Sequence, residues 1–166
     1  EIIINKGKDF NISNCGMHAM DIMRMESGFL HWGHDISPEE NQYQAGLNFA
    51  ISYKKPFDFI GKEKLLKIKD KKLDQRFFML VLKDNTPKKP LLLHEEPIYL
   101  DDKIIGKTTS GNYSFNYNKN LSFGYVNSEF SNKELINKNL YIEIEKKKYP
   151  AELLEKPLKL NNFKNI

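Results

Sequence analysis

After about residue 72 the chain becomes a succession of short apolar runs separated by turn residues, and this limits the available folds more than any other feature. "RFFMLVLKD" has the composition of a strand. "EEPIYLDDKIIGKTTSG" predicts a hairpin with Asp101 and Asp102 at its turn and Ile104, Ile105 and Thr108 beyond it. "LSFGYVNSEF" and "NLYIEIEKKKYPAELLEK" predict further strands. Such strands find partners only by closing into a small antiparallel barrel or stacking as a sandwich.

The first part has a different character. "CGMHAMDIMRMES" sets Met17, Met20, Ile22 and Met23 toward one side of a helix. Ser13 and Asn14 are cap candidates at its start, and Gly28 stands where a helix stops. "NFAISYKK" alternates as a strand does, Pro56 breaks it, and a second amphipathic helix is expected over about 61–71. The fold class predicted is α+β: an α+β segment over 1–72, then a small antiparallel β-barrel over 73–166. No internal repeat or low-complexity linker separates the two, and "DNTPKKP" (84–90) is the most loop-like stretch.

Composition excludes some functions. No apolar run approaches the ~20 residues that span a bilayer, and no secretory signal opens the chain. The net charge is +4, but Arg24 and Arg76 are the only arginines and the lysines are scattered. Nucleic-acid readers favour arginine for bidentate contacts, so no nucleic-acid partner is expected. Phe115, Tyr117, Phe123 and Tyr125 alternate as a sheet core does, not as an exposed stacking platform. Cys15 is alone, which fits a reducing, cytoplasmic compartment and excludes an intrachain disulfide. The chain lacks an initiator Met and opens on "EIIINKGKDF", as a processed chain or a piece of a longer one does.

"FLHWGHDI" gathers two histidines, an aspartate and the only tryptophan. His31, His34 and Asp35 are metal-ligand types, but Gly33 interrupts them and their spacing is too short for a helical pair. The expectation is therefore no metal, with the imidazoles and Asp35 pinning a turn. Cys15 and His18 resemble a nucleophile pair, yet the Met-rich surroundings predict a buried, inert thiol. "TTSGNYS" predicts a turn between strands, and Gly106, Gly111 and Gly124 form no phosphate-cradling pattern. Arg24 lies three residues beyond Asp21, within helical reach, and Met17, Met20 and Met23 are expected to keep that pair from water.

Taken in order, these pieces resemble the C-terminal half of the glycine-cleavage T-protein (aminomethyltransferase) superfamily. "HAMDIMRMESGFLHWGHDI" resembles the family block in which A-x-D-x-L-R-x-E-x-G leads into W-G-x-D. "QYQAGLNFAI", "KPFDFIGKEKLL", "EEPIYLDDKIIGKTTSGNYSFNYNKNLSFGYV" and "PAELLEKPL" follow collinearly. "FLHWGHDI" and "HEEPIYL" look most like the folate-binding tail of dimethylglycine and sarcosine dehydrogenases. The resemblance implies the end of a folate-binding domain over 1–72 and the family's barrel over 73–166. It implies tetrahydrofolate as cofactor, with FAD possible on an absent N-terminal part. It implies as partners the missing N-terminal half and a methylated amine or aminomethyl substrate. Arg24, Trp32 and Phe163 are the folate-contacting candidates it offers, and it offers no catalytic residue, because the family's catalytic Asp belongs to the absent half. The family has a folate-contacting Arg where Met20 stands, Pro at Gln42 and Glu at Gln44; Phe163 falls at a family aromatic. The isolated chain is expected to be inactive. The alternative is a non-catalytic module whose basic barrel contacts a partner chain or nucleic acid.

Overall fold

A computed structural model of the chain describes residues 1–154 apart from Asn85, Lys88 and Ser131. Three helices come first: α1 (Ile2–Gly7), α2 (Met17–Glu26) and α3 (Lys62–Lys69). Six strands follow, β1 (Gln75–Leu82), β2 (Pro97–Leu100), β3 (Lys103–Ser114), β4 (Lys119–Asn127), β5 (Leu140–Ile144) and β6 (Lys147–Leu154), with a short helix α4 (Asn132–Asn137) between β4 and β5. The strands close an antiparallel barrel in the order β1-β4-β3-β2-β5-β6, so none is left as an edge. No helix among the described residues is long and apolar enough to cross a membrane.

Strand β1 explains the unbroken apolar run that announced it. Phe78, Leu80 and Leu82 join Ile98, Ile105, Ile142 and Leu153 in the barrel core, and Leu135 of α4 packs there too. The intervening Phe77, Met79 and Val81 face the other way, with Leu121 and Phe123 of β4, and Met25 of α2 covers them. A strand buried on both faces has no polar side to show. Complete burial of Met25 contributes about 1.5–3 kcal/mol to holding α2 on the barrel wall.

Helix α2 stops as Gly28 predicts. Gly28 has φ +76°, its N–H donates to Met25 O at 3.0 Å, and Phe29 N–H donates to Arg24 O at 2.8 Å, the two bonds of a Schellman motif. The N-terminal cap is Gly16, with no side-chain cap bond, in place of Ser13 or Asn14. Gln44 adds a second tie to the barrel: its side chain donates to Asp74 Oδ1 at 2.5 Å and its carbonyl accepts Phe77 N–H at 2.8 Å.

Several expectations are corrected. "NFAISYKK" is a 3-10 turn over Asn48–Ala50 followed by irregular chain, because no strand among the described residues pairs with it. "TTSGNYS" lies inside β3, and the turn falls after it. Phe115 is therefore an exposed turn residue and not part of a sheet core. Cys15 is exposed, being placed ahead of α2 and not on its buried face. Met17, Met20 and Met23 are exposed as well, since the barrel takes the face carrying Ile22 and Met25.

Candidate functional site

The seam between α2 and the barrel is polar where the sequence made it polar. Asp35 is fully buried in the tight turn after α2, where Asp35 N–H donates to His31 O at 2.8 Å and Gly33 N–H to Ile36 O at 2.8 Å. Gly33 has φ +88°, a conformation that suits glycine. The Asp35 carboxylate accepts four donors: the His31 N–H at 2.9 Å, the Thr109 hydroxyl at 2.6 Å, the Ser110 hydroxyl at 2.7 Å and Arg24 Nη1. Consecutive strand residues ordinarily point to opposite faces. Here the β3–β4 register shifts between Thr108 and Ser110, and this bulge brings both hydroxyls to one carboxylate oxygen.

Arg24 is the hub. Its Nε and Nη2 hold Asp21 Oδ1 at 2.8 and 2.6 Å, Nη2 also donates to Ser110 Oγ at 2.7 Å, and its guanidinium carbon lies 5.3 Å from the Phe123 ring centroid. The pairing with Asp21 anticipated from helical spacing is present. Tyr125 closes the arrangement by donating its hydroxyl to Asp35 O at 2.9 Å. Burial, and behind it the charges of Glu40 and Asp35, push that phenol well above its ordinary value.

The sequence reading missed a second latch. Glu26 is buried and accepts the Ser114 hydroxyl at 2.5 Å and the Asn116 side-chain amide at 2.7 Å. An acid in the last turn of a helix opposes the helix dipole, and this was the available clue that Glu26 needs donors elsewhere.

Two hollows flank the seam. An apolar groove of about 810 Å³ is lined by Phe29, Leu30, Trp32, Leu47, Phe49 and Phe77, among others. Trp32 is 65% exposed there. On the other side a cavity of about 340 Å³ is lined by Met20, Asp21, Arg24 and the four histidines His18, His31, His34 and His94. Gly111 lets the segment before β2 close that cavity, because a Cβ at Gly111 would meet Leu92 Cγ at 2.5 Å. Of the sequence candidates, Arg24 is enclosed by its partners, Trp32 opens on the groove, and Phe163 lies outside the described residues. The His31 and His34 imidazoles do not pin the turn; Asp35 and backbone groups do so, and the two rings lie outside it with centroids 4.6 Å apart.

Residues 75–159, over half of the chain, match the family model described as the glycine cleavage T-protein C-terminal barrel domain. The chain belongs to the glycine cleavage T-protein family. Its residues 1–55 also match the GCVT N-terminal domain. This T-protein family member is 36% identical over 162 residues to human mitochondrial dimethylglycine dehydrogenase, a match covering 96% of the chain and 18% of the relative. It is 32% identical to 4-methylaminobutanoate oxidase (formaldehyde-forming) of Paenarthrobacter nicotinovorans, over 91% of the chain and 18% of that protein. The chain thus spans less than a fifth of the length of these relatives. Its fold resembles the glycine cleavage system aminomethyltransferase T of Bartonella henselae, with a TM-score of 0.79 at 20% identity, over 94% of the chain and 42% of that structure.

Proposed function

We propose that the chain is the C-terminal portion of an enzyme that passes a one-carbon unit from a methylated amine to tetrahydrofolate. The observation that supports this most is the 36% identity, over 96% of the chain, to dimethylglycine dehydrogenase. Tetrahydrofolate, when bound, supplies nitrogen nucleophiles that capture carbon at the oxidation level of formaldehyde.

The residues present fit one wall of such a site. The groove has the volume range of small-molecule sites, and Trp32 with Phe29 and Phe49 offers flat apolar surface to a heteroaromatic ring. In this reading Trp32 touches the cofactor, and Phe163 is a further aromatic from the C-terminal segment. Arg24 acts indirectly: it holds Asp35, and Asp35 fixes the turn that carries Trp32. Both buried carboxylates among the described residues, Glu26 and Asp35, are engaged by barrel donors, so neither is free to move a proton. The division proposed is a folate-domain portion over 1–72 and a barrel domain over 73–166. The reacting groups, any FAD and the amine site belong to polypeptide outside this chain. A reducing, cytoplasmic compartment is proposed from the single thiol of Cys15.

Trp32 is the only tryptophan of these 166 residues, and it opens on the groove. Calorimetric titration of the complete protein with 5-formyltetrahydrofolate is expected to show saturable binding, and Trp32→Phe to weaken it. The 166-residue chain alone is expected to bind weakly or not at all, since a ring held on one wall leaves its polar edge without partners, at about 1–3 kcal/mol per group. Absence of folate binding by the complete protein defeats the reading.

A further inference from the structure

All four histidines of the chain line one cavity, although they come from three separate segments. His18 lies on α2, His31 and His34 in the turn that follows, and His94 just before β2. All four are exposed to solvent, and among the described residues their imidazoles have no carboxylate partner. The charged groups nearby are already paired. Asp21 and Asp35 are held by Arg24, Glu95 by Lys107, and Glu96 accepts the Leu93 N–H and the Thr108 hydroxyl. The two charged residues that line the cavity, Asp21 and Arg24, offset each other, so protonated imidazoles would leave it strongly positive. The His31 and His34 rings, 4.6 Å between centroids, would repel each other once protonated, and an anion bound beside both would offset that repulsion.

We propose that this histidine-lined cavity is a pH-gated oxyanion site, taking a phosphate or carboxylate group when its imidazoles are protonated. The volume of about 340 Å³ admits a small anion or the anionic end of a larger ligand. Metal binding is a poorer use of the same residues, because among the described residues no three His, Cys, Asp or Glu are grouped to hold an ion. Met20, where the family has its folate-contacting Arg, also lines this cavity; the proposal stands on the imidazoles alone, and its failure leaves the proposed folate contact at Trp32 untouched.

The test is an NMR titration of the histidine ring signals of the 166-residue chain with inorganic phosphate and, separately, glutarate. Saturable shifts of the His31 and His34 signals are expected near pH 5.5, with affinity about tenfold weaker near pH 8. The tighter of the two probes identifies the preferred oxyanion. The His31→Gln/His34→Gln variant is expected to lose binding while keeping its unfolding midpoint, and His94→Gln to weaken it. No saturable shift near pH 5.5, equal affinity at both pH values, binding retained in the double variant, or stoichiometric zinc uptake by these imidazoles would overturn the proposal.

Discussion

Arg24→Ala tests whether the seam is structural. The side chain is 14% exposed, and its removal leaves the Asp35 carboxylate, which is fully enclosed, without a counter-ion. Breaking a buried pair from one side costs about 3–5 kcal/mol. Asp35 would still accept Thr109, Ser110 and the His31 N–H, and Asp21, 29% exposed, would turn to water. Those compensations put the cost near the lower end, about 3 kcal/mol, with the contact to the Phe123 ring lost as well. For a chain of this length that corresponds to a fall in Tm of roughly 6–12 °C. Thermal and urea denaturation measure it, and a cycle with Asp35→Asn tests its origin: the double variant should be less destabilised than the sum of the two. A Tm unchanged in Arg24→Ala, accompanied by lost folate affinity in the complete protein, would refute the structural role and make Arg24 a ligand.

Two further outcomes follow from the same wall. The Tyr125 phenol is raised above its ordinary 10.0, so on alkaline titration the unfolded chain gives up this proton before the folded one. Its contribution to stability is whole below about pH 10 and is lost as pH rises toward the folded value; urea midpoints of Tyr125→Phe should fall less steeply above pH 10 than those of the parent. Gly124→Ala should cost about 3 kcal/mol by urea denaturation, because the new Cβ would lie 2.6 Å from Lys107 O and 2.9 Å from Ile98 Cδ1.

The barrel was legible because its strands carry their own evidence. The doubly buried β1 appears as a continuous apolar run, and the β2–β3 hairpin falls at Asp101–Asp102 as expected. The turn joining β5 and β6 was harder to see: Glu145 and Lys146 take φ of +50° and +64° without the Gly or Asn that usually marks such a turn. Helix α4 is too short for a period to show, and only its buried Leu135 explains it. At the site, Arg24–Asp21 was visible from spacing alone. Asp35, Thr109 and Ser110 were visible as residues but not as a cluster, because a β-bulge brings them together and no local pattern encodes that bulge. The convergence of four histidines was hidden for the same reason: His94 reaches the others only through the folded barrel.

The latches of α2 join residues far apart in the chain: Arg24 to Ser110, Asp35 to Thr109, Glu26 to Ser114. Arg24, Asp35 and Glu26 must each wait for β3 to exist, and β3 takes its place only when β4 pairs beside it. Contacts of such long sequence separation slow folding. The first forty residues are therefore expected to dock late, onto a barrel already closed, and to be the first to leave it. Hydrogen exchange would show this order as amides of α2 opening at lower free energy than those of β1 and β4, which makes the seam the place where the molecule begins to unfold.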